Sequence, residues 1–144
     1  MSEDKLKEIE ERRAARKAEA KKARAEQYAK DLEALDALEQ EHGDESVAAL
    51  EVSGFVKGLP SIVVVKSPGG TPLYKRYTDM VRKAGKNPEG LGKAQELLGE
   101  ACIVYPSDDE TRKAMFDAFP GTKVSAYVRA IKFVELESAD EKKD

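Results

Sequence analysis

The sequence predicts an α+β fold that is mainly α, and three observations predict it. From Lys5 to Gln40 the chain has no Pro or Gly and scarcely a β-branched residue. Leu50 and Val52 then alternate with Glu51 and Ser53, ahead of the continuous β-branched run Ile62-Val63-Val64-Val65. Beyond Ser67, apolar residues return at three- and four-residue spacing between Pro and Gly punctuation. Low helix cost, alternation and helical period in that order give a long N-terminal helix, one β-hairpin and a small bundle of about four short helices.

At 1.5 Å per residue the first helix reaches roughly 55 Å. Ser2 is its expected N-cap, Glu3 and Asp4 complement its dipole, and Gly43 is its stop. Between Arg12 and Arg24 the only apolar residues are alanines, which predicts a solvated face and no strong coiled-coil seam. Tyr28, Leu32, Leu35 and Leu38 form a stripe nearer the C-terminal end. That stripe is expected to lie against the globular part, or to serve a partner if the helix swings free. The organisation expected is an extended charged helical arm over 1–43, a small globular domain over 46–137 and a disordered tail over 138–144.

Lys57-Gly58-Leu59-Pro60-Ser61 supplies turn residues for an antiparallel hairpin with a loop of a few residues. Thr71-Pro72 offers an N-cap and a first-turn proline to a helix that carries Leu73, Tyr77, Met80, Val81 and Ala84 on one face and ends at Gly85. Lys86 to Gly92 reads as a loop, followed by a helix with Leu91, Ala94, Leu97, Leu98 and Ala101. Ser107 and Glu110 read as a capping box for a third helix that turns Met115, Phe116 and Phe119 inward. The last helix, Thr122 to Glu135, is expected to bury Val124, Tyr127, Val128, Ile131 and Val134.

The chain has 144 residues, with 25 Lys plus Arg against 28 Asp plus Glu and a formal net charge of -3. Bulk charge therefore does not mark a nucleic-acid protein. Cys102 is the only cysteine, which excludes an internal disulfide and suits a reducing compartment. The N-terminus lacks the pattern of a signal peptide, and no apolar run approaches the roughly 20 residues that span a bilayer. A cytoplasmic protein with no membrane association is expected.

His42 is the only histidine, so histidine triads and multi-histidine metal sites are excluded. Ser67-Pro68-Gly69-Gly70-Thr71 lacks the P-loop spacing and reads as a turn. Asp108, Asp109 and Glu110 read as helix-capping acids without calcium-loop spacing. No catalytic, cofactor-binding or metal-binding residue is assigned, and a non-enzymatic protein is expected.

Two charge blocks divide the arm. Arg12, Arg13, Arg16, Lys17, Lys21, Lys22 and Arg24 enclose a single acid, Glu19, whereas Asp31, Glu33, Asp36, Glu39, Glu41, Asp44 and Glu45 have no Lys or Arg among them. Such segregation can drive antiparallel pairing of two helices, giving a homo-oligomer, or present a cationic strip to an acidic surface. The plainer reading is a solvated helix with internal pairs such as Glu8 with Arg12. Nucleic acid ranks below protein as a partner, because only Tyr28 lies near the basic block to stack on a base.

Three segments in order carry a family resemblance: Thr71-Pro72-Leu73-Tyr74-Lys75-Arg76-Tyr77, then Leu97-Leu98-Gly99-Glu100-Ala101-Cys102-Ile103-Val104-Tyr105-Pro106-Ser107, then Phe119-Pro120-Gly121 before a terminal helix. Together they resemble the tail assembly chaperones of long-tailed bacteriophages over about Val63 to Val134. The resemblance implies a non-enzymatic role in virion assembly, with the tape-measure protein and tail-tube subunits as partners. Under it, Tyr74 and Tyr77 join Tyr28, Leu32, Leu35 and Leu38 as candidate partner-binding residues. The long charged N-terminal helix departs from the compact family pattern.

Overall fold

A computed structural model describes residues 2–70 and 72–136. The fold is α+β and mainly α: α1 Glu3–His42, β1 Val47–Glu51, β2 Ile62–Lys66, α2 Pro72–Ala84, α3 Pro88–Cys102, β3 Ile103–Tyr105, α4 Asp109–Ala118 and α5 Thr122–Lys132. The expected capping role of Thr71 and the expected tail over 138–144 lie outside the described residues.

The sheet has three antiparallel strands in the order β1-β2-β3. Its centre is the β-branched run, and Ile62 to Val65 are buried on both faces, which explains why that segment does not alternate. Val63 and Val65 face the layer formed by α2–α5, where Leu98, Cys102, Ile103, Met115, Ala126 and Ala130 complete one core. Ile62 and Val64 face the other way and, with Val47, meet Leu35 and Leu38 of α1 and the half-buried Val104 and Tyr105. Each such aliphatic side chain contributes about 1.5–3 kcal/mol on burial.

The ends of α1 follow local chemistry. Ser2 Oγ accepts from the Lys5 amide at 3.3 Å, and Gly43 ends the helix at φ 93°, a left-handed value that glycine adopts without strain. The hairpin is antiparallel as expected, yet its connection spans residues 52–61. The extra length lets Phe55 and Lys57 reach α1, where they line a cleft with Arg16, Ala20, Ala23 and Glu26.

Four local expectations are corrected. Asn87 caps α3, accepting from the Glu89 amide at 3.0 Å, so the helix begins at Pro88 and the expected loop through Gly92 is mostly helical. Cys102-Ile103-Val104-Tyr105 does not merely trail a helix: Ile103–Tyr105 pair with β2 as a third strand. Arg112 supports that abrupt change, donating to the carbonyls of Ile103 at 2.8 Å and Glu100 at 2.7 Å. Asp108, and not Ser107, caps α4, because its carboxylate reaches both the amide and the hydroxyl of Thr111 at 2.9 and 2.7 Å.

The fourth correction concerns α5, which stops at Lys132 and buries Ala126 and Ala130 while Val124 and Val128 stay 42% and 48% exposed. The cause is Gly99. A Cβ there would lie 2.0 Å from the Lys123 carbonyl oxygen and 2.8 Å from the Tyr127 nitrogen. Backbones that close admit only small side chains between α3 and α5, so the alanine face turns inward and the valines turn out.

Candidate protein-interaction surfaces

The residues on α1 divide by rotation about the helix axis. Gln27, Asp31, Ala34, Leu35, Leu38 and His42 are buried or half-buried, whereas every residue from Glu10 to Lys22 is exposed. Leu35 and Leu38 of the expected stripe therefore rest on the sheet, and Tyr28 and Leu32 remain 40% and 42% exposed.

Asp31 decides that rotation. Fully buried, it accepts from Gln27 Nε2 at 3.0 Å and Tyr105 Oη at 2.5 Å on one oxygen, and from the Ser61 amide at 2.7 Å and the Ser61 hydroxyl on the other. A fully buried aspartate survives only when its lone pairs are met by donors, and here three separate segments supply them. The same contact, after the effect of burial itself, holds the Tyr105 hydroxyl above its ordinary pKa. In the sequence Asp31 is one of seven acids in the acidic block. Its helical spacing from Gln27, Leu35 and Leu38 was the signal that it belongs to the packed face.

All seven cations of the basic block lie beyond this anchor: Arg12, Arg13, Arg16, Lys17, Lys21, Lys22 and Arg24 are exposed. Among the described residues, none of them takes part in an ion pair. The expected pairing of Glu8 with Arg12 is thus not formed. Lys21, Arg24, Ala25 and Tyr28 instead wall a groove of about 340 Å³ whose other side is Glu51, Val52 and Ser61.

Tyr74 and Tyr77 stand on the opposite layer. Tyr77 packs on Tyr127 with ring centroids 5.6 Å apart and their hydroxyls 2.8 Å apart, and Tyr74 lies 6.0 Å from Tyr77. Burial, followed by the hydrogen bond to Tyr127, raises the Tyr77 pKa. Of the six partner-binding candidates, Tyr28 and Leu32 are exposed on α1, Leu35 and Leu38 are packed on the sheet, and Tyr74 and Tyr77 are half-buried on the opposite layer.

Comparison with protein families, curated proteins and solved structures found no match.

The groups with chemical potential are tied to structure. Cys102 is buried, and desolvation pushes its thiol up to about 11 although Lys66 pulls the other way. His42 stands 3.7 Å from Glu41 at the C-terminal end of α1, where imidazole can meet the helix dipole. No group of three or more metal-ligating side chains occurs among the described residues. No described helix is long and apolar enough to cross a membrane. Sequence reasoning missed two apolar positions that are open to solvent, Val124 and Val128 on α5, because their spacing imitates a buried face.

Proposed function

We propose that this chain is a non-enzymatic assembly protein of the tail-assembly-chaperone kind, binding an elongated helical partner of the tape-measure class and a tail-tube subunit. The observation that carries the reading is a forty-residue helix whose buried hydrogen bonds and apolar packing lie in its C-terminal part. Its C-terminal part is fixed by Asp31, Leu35 and Leu38, and its N-terminal part offers a bare cationic strip. An arm of this kind has little use in enclosing a substrate, whereas it can lie along another chain. Exposed Val124 and Val128 supply apolar cover of the sort an amphipathic helix needs before it reaches its final assembly.

The test is co-expression with a phage tape-measure protein and its tail-tube subunit. The reading expects the tape-measure protein to stay soluble and to co-purify, with binding lost when residues 2–24 are deleted. That cut spares Asp31 and the whole sheet. Failure to bind either partner would overturn the assignment. A second reading, an oligomeric structural adaptor, is favoured by the charge segregation on α1, and light scattering on the same deletion reads it directly.

A further inference from the structure

We propose that two copies of this chain associate through their α1 helices, side by side and antiparallel, about a two-fold axis at Tyr28. The inference rests on the oligomeric-adaptor reading and not on the tail-assembly one, and its partner is the chain itself.

With the Gln27, Asp31, Leu35 and Leu38 face committed to the sheet, the exposed apolar residues of α1 near its middle are Tyr28 and Leu32. Residues four, seven, eleven and eighteen positions away share a helix face, since each separation is close to a whole number of 3.6-residue turns. From Tyr28, those steps reach Leu32 going forward and Arg24 and Lys21 going back, while Leu35, seven positions forward, already rests on the sheet. Eleven positions on either side they reach Glu39 and Lys17. The face is thus cationic on one side of Tyr28, apolar at its centre and acidic on the other.

That order is its own complement. An antiparallel copy centred on Tyr28 places Lys17 opposite the second copy's Glu39, Lys21 beside its Asp36, and Arg24 across from its Leu32, over which the arginine stem can lie. The two-fold repeats each pairing, as a self-complementary interface must. Lys17, Lys21 and Asp36 are exposed and Glu39 is half-buried. Neither lysine has an ion-pair partner among the described residues. A parallel copy would set lysine against lysine and acid against acid. Another protein would need to match this palindrome by chance, whereas a second copy matches it by symmetry.

Sedimentation of the full chain at low salt should give a dimer that dissociates as salt screens the pairs. The variants Lys17→Glu with Lys21→Glu, and Asp36→Lys with Glu39→Lys, should each weaken self-association by roughly 30-fold. Mixed in equal amounts, they should restore a heterodimer. Circular dichroism checks that each variant keeps its helix. On oxidation, Tyr28→Cys should cross-link to its own copy and Glu10→Cys should not, because antiparallel pairing separates the two Glu10 positions by about 54 Å. A monomeric wild type, a dimer indifferent to both reversals, a mixture that stays monomeric, or equal cross-linking at both positions would each overturn the proposal.

Discussion

Replacing Asp31 by alanine should unlatch α1 from the sheet. The change removes the acceptor for four hydrogen bonds: from Gln27, from the amide and hydroxyl of Ser61, and from Tyr105. Gln27 is half-buried and can turn to water, but the Ser61 amide is fixed in the backbone and its residue is 6% exposed. Two stranded donors at about 1–3 kcal/mol each give a loss of about 2–6 kcal/mol. That is a large part of the 5–15 kcal/mol expected for a domain of this size.

Asp31→Asn keeps one acceptor oxygen and turns an amide against the other donors, so about 2 kcal/mol is expected. Tyr105→Phe removes one donor and leaves the carboxyl three partners, for about 1 kcal/mol. It also flattens the alkaline limb. The raised Tyr105 pKa contributes stability that is complete below the ordinary tyrosine value of about 10 and is lost as pH climbs above it. Urea denaturation followed by circular dichroism measures all three variants, with Glu33→Ala as an exposed control. Hydrogen exchange should show residues 31–42 losing protection ahead of β2. An Asp31→Ala protein within about 1 kcal/mol of wild type would refute the latch.

Gly99→Ala should cost about 3 kcal/mol or more, because the added carbon meets the backbone of Lys123 and Tyr127, which no rotamer change can relieve. Thermal melting reads the loss, and a neutral result would mean that α3 and α5 do not approach this closely. Cys102 should resist thiol reagents at neutral pH in the folded protein, being buried with its thiol pushed up to about 11. Labelling should become fast only in denaturant or at a pH where the fold itself fails; prompt labelling of native protein would contradict the packing around it.

Much of the fold was legible because it follows local rules. Ser2 and Gly43 bound α1 through capping and left-handed geometry, and Ile62 to Val65 announced a strand by β-branching alone. Where two local solutions competed, the choice was set by reach: Asp108 holds Thr111 with two contacts, so the capping role passed to it from Ser107. Ile103 to Tyr105 was too short a segment to declare itself a strand, and it needed β2 beside it.

By itself the sequence determined the kinds of element and their order, the length of the N-terminal helix and the separation of its charges into two blocks. These depend on neighbours within a few residues, which the chain carries with it. Only the tertiary structure decided which side of each helix faces inward. Val124 and Val128 lost the interior to Ala126 and Ala130 because Gly99 lets two backbones touch. Asp31 entered it because Ser61 and Tyr105 arrive from 30 and 74 residues away with donors that water would otherwise have to replace. Periodicity on α1 can mark the face but not name donors at that range, and here those contacts fix which part of α1 is anchored and which part is free to meet a partner.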